Sequence, residues 1–172
     1  MPHYSKPGRR AFIIGILGAG TAVALTGCGL DFPGLGNGMP EGDTNARAMT
    51  STFLPWVNAL RADHGLPPVS YARVNEQAAL DQARRMALVG KMNHITSRSE
   101  TVAERFKRIG LPLPAAENIA MYQQTPERAF QAWVNSPQHL KNMLGDYAHM
   151  GVAVSTSPNS ENRPFWSMDL SQ

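Results

Sequence analysis

Gly151-Val152-Ala153-Val154-Ser155-Thr156, the polar run Ser157–Arg163, and Pro164-Phe165-Trp166-Ser167-Met168-Asp169-Leu170 form the stretch where the chain changes its period. The two outer runs are rich in β-branched and aromatic residues, and turn formers separate them, which predicts two strands joined by a loop. Val69–Ala72 is a weaker third candidate. The mature sequence before the pair is dominated by apolar residues at helical spacing. Helices first and strands last predict an α+β layered domain rather than a doubly wound α/β fold.

Working back from the strands, Ser136-Pro137 opens a short helix carrying Gln138 to Leu144, closed by Gly145. Its serine is read as the N-cap, a role that occupies the hydroxyl. Thr125-Pro126 opens another helix, with Ala129, Phe130 and Trp133 on its apolar face. Ser97-Arg98-Ser99-Glu100 fits a capping box for a third, whose buried stripe is Val102, Phe106 and Ile109. A fourth spans about Asn75 to Val89 with a small-residue face at Ala79, Ala83 and Ala87, and stops at Gly90. The first helix is expected over Ala46–His64, broken or kinked near Pro55 and stopped by Gly65. Trp56, Trp133 and Trp166 are assigned to core packing, Trp133 bordering any cleft, and Asn58 and Arg61 to structural hydrogen bonds.

Ahead of the helices, residues 2–10 form a basic segment and Ala11–Ala24 an apolar one, too short for an ordinary membrane span but suited to an export signal. Leu25-Thr26-Gly27-Cys28 resembles a bacterial lipobox, which implies cleavage before Cys28 and lipidation of its thiol. Arg9-Arg10-Ala11-Phe12-Ile13 fits both a twin-arginine export motif and ordinary signal charge. Gly29 to about Asn45 is Gly/Pro-rich without periodicity and reads as a flexible tether, with a reach of roughly 20–24 Å. The organisation expected is thus signal peptide 1–27, lipidated cysteine and tether 28–45, and one domain over 46–172. Of 16 Lys and Arg residues, Lys6, Arg9 and Arg10 precede Cys28, so the mature chain balances its 13 acidic residues with equal basic charge. No basic run marks a nucleic-acid footprint. Cys28 is the only cysteine, which excludes an intrachain disulfide and leaves no thiol for catalysis or zinc.

The polar residues placed among apolar ones are His94, Glu117 in Ala115-Ala116-Glu117-Asn118-Ile119-Ala120, and His139. Two imidazoles and a carboxylate suit Zn²⁺ or another divalent metal with one position left open. They equally suit a hydrogen-bonded cluster fixing a cleft wall, or catalytic use. The order of Leu54, Asn58, Arg61, His64-Gly65-Leu66 and Pro68, then His94, Glu117-Asn118-Ile119, Trp133-x-x-Ser136-Pro137-x-His139 and Met150-Gly151-Val152 resembles the CAP superfamily of cysteine-rich secretory, venom-antigen and pathogenesis-related proteins, in its disulfide-free bacterial branch. The resemblance covers nearly all of 48–172 and implies an α-β-α sandwich with a small antiparallel sheet. It also implies a cleft of two histidines and two acids, onto which His94, Glu117 and His139 fall. The second acid would fall at Ser136, and Ala116 stands where the family has glycine.

The preferred function is a membrane-anchored extracytoplasmic module that binds a lipid, peptide or envelope-protein ligand, without robust catalysis. The alternative is a metal-assisted hydrolase of envelope substrates using His94, Glu117 and His139. Gly29 after Cys28, rather than Asp, favours the outer membrane where the host has two. If Cys28 is the anchor, Cys28→Ala expressed in a bacterial host takes up no labelled palmitate and keeps its leader, measured by metabolic labelling and intact mass. Normal labelling of that variant would remove the anchor.

Overall fold

The computed structural model describes residues 41–172. The leader, Cys28 and most of the tether lie outside the described residues. Within them the order is β1 (Asn45–Ala48), α1 (Thr50–Asp63), β2 (Ser70–Tyr71), α2 (Arg73–Val89), α3 (Val102–Ile109), β3 (Ala115–Met121), α4 (Pro126–Val134), α5 (Pro137–Met143), β4 (His149–Thr156) and β5 (Phe165–Ser171). The layered α+β expectation holds. A central sheet ordered β1-β4-β5-β3 separates α2 and α3 on one side from α1, α4 and α5 on the other, and short β2 runs parallel to the start of β4 beside β1.

Several local expectations shift. Residues 45–48 pair with Ala153–Thr156 as a strand, so α1 begins only at Thr50. It then runs unbroken through Pro55, whose missing N–H would have served the carbonyl of exposed Ser51, near enough to the helix start for water to replace it. The capping box of α3 is Thr101 with Glu104, not Ser97 with Glu100: Glu104 N–H donates to Thr101 Oγ1 at 3.3 Å, and Thr101 N–H to Glu104 Oε2 at 2.7 Å. Glu100 is diverted because Arg85 and Arg108 hold it. Thr125 does cap α4, accepting from Arg128 N–H at 3.3 Å, and Gly90 ends α2 in the left-handed region.

The core lies mainly between the sheet and α1, α4 and α5. Phe53, Val57, Trp133, Met150, Val152, Trp166, Met168 and Leu170 are buried there, and Phe53 packs against Trp56, Trp133 and Trp166 at ring separations of 5.3 to 5.9 Å. Arg61 is buried with its guanidinium spent on carbonyls, donating at 2.8 Å each to Pro67, Met143 and Gly145, and Asn58 clasps Val69 through both backbone groups. These two residues tie α1 to the loops around it, as expected.

The opposite sheet face carries Gly151, Ala153, Ser155, Ser167, Asp169 and Ser171, and α2 covers it with its alanines. The approach is close: a β-carbon on Gly151 would sit 2.1 Å from Glu76 N and 2.3 Å from Asn75 C, both helix backbone. Gly151→Ala must therefore push α2 off the sheet. The expected loss is about 3 kcal/mol, read as a lower urea midpoint; a loss under about 1 kcal/mol would show that the helix yields freely.

Candidate functional site

No strand is legible in the sequence at 115–121, because Ala-Ala-Glu-Asn is a poor β pattern; it becomes one by pairing with β5 over Ala115–Met121. Being a strand decides how the Glu117-Asn118-Ile119 run is used. Alternation sends Glu117 toward α3 and Asn118 toward α5. Asn118 Nδ2 donates to the His139 carbonyl at 3.0 Å, and Asn142 Nδ2 to Asn118 Oδ1 at 2.8 Å, fixing α5 to the strand. The Ile119 carbonyl accepts the Trp133 indole N–H at 3.1 Å, fixing α4.

Glu117 is buried with both oxygens engaged. Arg105 Nη2 donates to Oε2 at 2.7 Å and His94 Nδ1 to Oε1 at 2.8 Å. His94 sits in the loop after α2, which Gln82 anchors by donating to the Asn93 carbonyl at 2.7 Å. Because its Nδ1 holds Glu117, Nε2 is the ring nitrogen left for other partners. Burial works against the Arg105 charge, but Glu117 and then Asp169 outweigh it, and the guanidinium is held above its usual range.

Asp169 lies directly across from Glu117 in the β3/β5 register and is fully buried. One oxygen accepts from Ser167 Oγ at 3.2 Å; the other, like Arg105 Nη1, has no partner among the described residues. Burial first, and Glu117 second, push its carboxyl well above the usual carboxylate range, against the pull of Arg105 and Ser167. A second set of ion pairs flanks this one. Asp81 is met by Arg85 at 2.8 Å and Arg108 at 3.1 Å, and Glu100 by Arg108 at 2.7 Å and Arg85 at 3.2 Å, joining α2, α3 and the loop between them.

At the free edge of β3 is a cleft of about 290 Å³. Met92, Ile119, Met121, Ala132 and Trp133 wall it, while Gln123, Ser136 and His139 bring polar atoms to it. Ser136 is the N-cap residue of α5 by position, but its hydroxyl makes no cap bond to the helix, so the bond expected to occupy it is absent. Gln123 Oε1 and His139 Nδ1 are buried without partners among the described residues. Burial, and then the neighbouring His94, push the His139 pKa down, so its neutral form is favoured.

The structure thus brings His94 and Glu117 into contact and places His139 beside them. As a three-donor metal site the arrangement does not fit as it stands: Glu117 is spent on Arg105 and His94, and among the described residues no three His, Cys, Asp or Glu side chains converge on one point. His64 bonds the Leu60 carbonyl, and His149 bonds Ser70 Oγ at 3.0 Å, both apart from the cleft. Arg105, Asp169 and Gln123 are site residues that the sequence reading missed. Arg105 had a signal, since it falls three residues after Val102 on the buried stripe of α3. Asp169 and Gln123 had none.

The sequence profile described as the CAP cysteine-rich secretory protein family matches residues 56–170. The chain belongs to this family. Bacillus subtilis YkwD is 32% identical over 102 residues, covering 58% of this chain and 40% of that protein. The B. subtilis membrane protein YlbC is 26% identical over 112 residues, covering 64% and 32%. The chain therefore spans less than half the length of these relatives. In fold, the CAP domain resembles an extracellular SCP-domain protein of Bacillus anthracis (TM-score 0.62, 22% identity, 71% of this chain and 39% of that one). It also resembles an outer surface protein of Borrelia burgdorferi (TM-score 0.64, 16% identity, 76% and 97%).

The buried acid of this CAP domain sets a pH dependence. Asp169 holds a proton more tightly folded than unfolded, so its contribution to stability is present at low pH and is lost as pH rises from the free-Asp range through its folded pKa. The stability of wild type relative to Asp169→Asn should fall across that window, by at most about 1.4 kcal/mol per pH unit, in urea unfolding at successive pH values. A difference that does not change with pH would show that Asp169 is ionised throughout.

Proposed function

We propose that this CAP domain is an extracytoplasmic binding module whose cleft takes an uncharged ligand, and that a lipid on Cys28 tethers it to the envelope. The observation that carries the binding reading is the cleft itself: apolar walls of Ile119, Met121, Ala132 and Trp133, with the polar residues Gln123, Ser136 and His139 among them. A concave, mostly apolar site with a few polar groups is the usual form of a small-ligand site. Among the described residues no Lys, Arg, Asp or Glu lines the cleft, so recognition rests on shape and neutral hydrogen bonds. The export signal in the sequence supports the location, as does the likeness to proteins described as extracellular or outer-surface.

A second reading rests on His94 and His139. Two imidazoles beside a cleft suit a divalent ion, which would supply Lewis-acid chemistry to a bound substrate. The ion pair between Glu117 and Arg105 counts against a general base at Glu117, since the carboxylate would have to leave its guanidinium first.

A thermal-shift screen of the full chain against divalent metals, fatty acids and neutral amides separates the readings. For the binding module, a neutral compound at 100 times its Kd stabilises wild type by about 2.7 kcal/mol, and Ala132→Phe, which fills the cleft, abolishes the shift. A shift by Zn²⁺ alone, lost in His94→Ala and His139→Ala, would favour the metal site. No shift by any class would remove both.

A further inference from the structure

The cleft lies along a sheet edge, and the backbone of that edge indicates what would fill it. Among the described residues, strand β3 pairs only with β5. The phase of that pairing is set at its two ends, where Tyr122 N–H donates to the Pro164 carbonyl at 2.7 Å and Gln172 N–H to the Pro114 carbonyl at 3.2 Å. Even-numbered residues therefore turn their backbone groups toward β5, and Glu117, Ile119 and Met121 turn theirs outward. The Trp133 indole on the Ile119 carbonyl agrees with this phase. It also closes one position, leaving Ile119 N–H and both backbone groups of Met121 open where those residues line the cleft.

Three open backbone groups spaced over two residues match the alternate groups of an extended chain. The side chains around them agree. Gln123 and Ser136 bring polar side chains to the cleft, the Ser136 hydroxyl is free of capping, and Met92, Ala132 and Trp133 form a small apolar seat. A fatty acid or a bare metal ion would leave the outward amide groups of β3 unmatched.

We propose that the cleft binds a short, neutral, extended peptide segment as an added strand on the outer edge of β3, with one apolar side chain seated against Met92 and Trp133. The Trp133 bond to Ile119 stops the added ladder, which limits recognition to about three residues. This rests on the cleft being the binding site of the module.

The test uses an array of acetylated, amidated tetrapeptides of neutral residues, bound to the full chain. The best binder is then remade with one N-methyl group at a time and measured by calorimetry. The expected result is an alternating pattern: methylation of an amide facing β3 weakens binding about tenfold or more, and methylation of its neighbour changes it less than about threefold. Ala132→Phe, checked for native circular dichroism, should lose binding, and Gln123→Ala should weaken it. Tight binding with uniform tolerance of N-methylation would overturn strand addition. No peptide bound at millimolar concentration, while another class shifts the melting temperature through the cleft, would overturn the peptide and leave the module. No ligand of any class would overturn both.

Discussion

The backbone of α2 lies against the sheet at Gly151 with no room for a single carbon between them, and much of the domain follows from that contact. At this close approach the sheet residues beneath the helix are small or polar, Gly151, Ala153, Ser155, Ser167 and Asp169, while Phe165 and Ile119 on the same face pack against Met86 and Ala87 of α2. Most of the bulky residues take the opposite face, where α1, α4 and α5 build the aromatic core. The sheet is thus buried on both sides with unequal fillings: a thick apolar layer on one, and on the other a thinner layer in which polar groups lie among smaller apolar clusters.

The thin layer is where the charges go. A polar group sealed beneath a helix is costly unless it is paired, and Arg105 enters from α3 to meet Glu117 with Asp169 close by, though Arg105 Nη1 and one Asp169 oxygen stay without partners among the described residues. Removing one partner from such a pair leaves a buried charge alone, at a cost of about 3–5 kcal/mol, so the pair fixes the side chains it joins. His94 gains its orientation from this arrangement, because the oxygen it contacts belongs to a carboxylate already held from the other side. The two histidines are thus supported differently: His94 by its hydrogen bond to Glu117, and His139 through its backbone by Asn118, itself held by Asn142.

Strand β3 connects the two layers. Its alternation places Glu117 on one face and Asn118 on the other, while the intervening backbone stays open at the edge. A single run of sequence thereby orders both walls of the cleft and leaves hydrogen-bonding capacity between them. That arrangement suits a binding module in which recognition falls to backbone and neutral side chains, with the ionic groups kept behind the wall as scaffold.

Much of this was legible in the sequence. The α+β order followed from the change of period near Gly151, and the stripe Val102, Phe106, Ile109 and the cap at Thr125 followed from local chemistry, which depends only on near neighbours. The polar residues His94, Glu117 and His139 were likewise readable, and the structure brings the first two into contact. Tertiary structure alone decided the rest. It made a strand of Ala115–Met121 against its composition, because β5 offered partners. It turned the Ser167–Asp169 side of β5, which alternation would leave in water, into a buried compartment, because α2 covers it. And it withdrew Glu117 from the cleft, because Arg105, twelve residues earlier, holds its carboxylate, and it left the Ser136 hydroxyl at the cleft without a cap bond. Local pattern fixes which residues are polar and where helices begin; which polar groups find each other depends on distant segments brought together by packing.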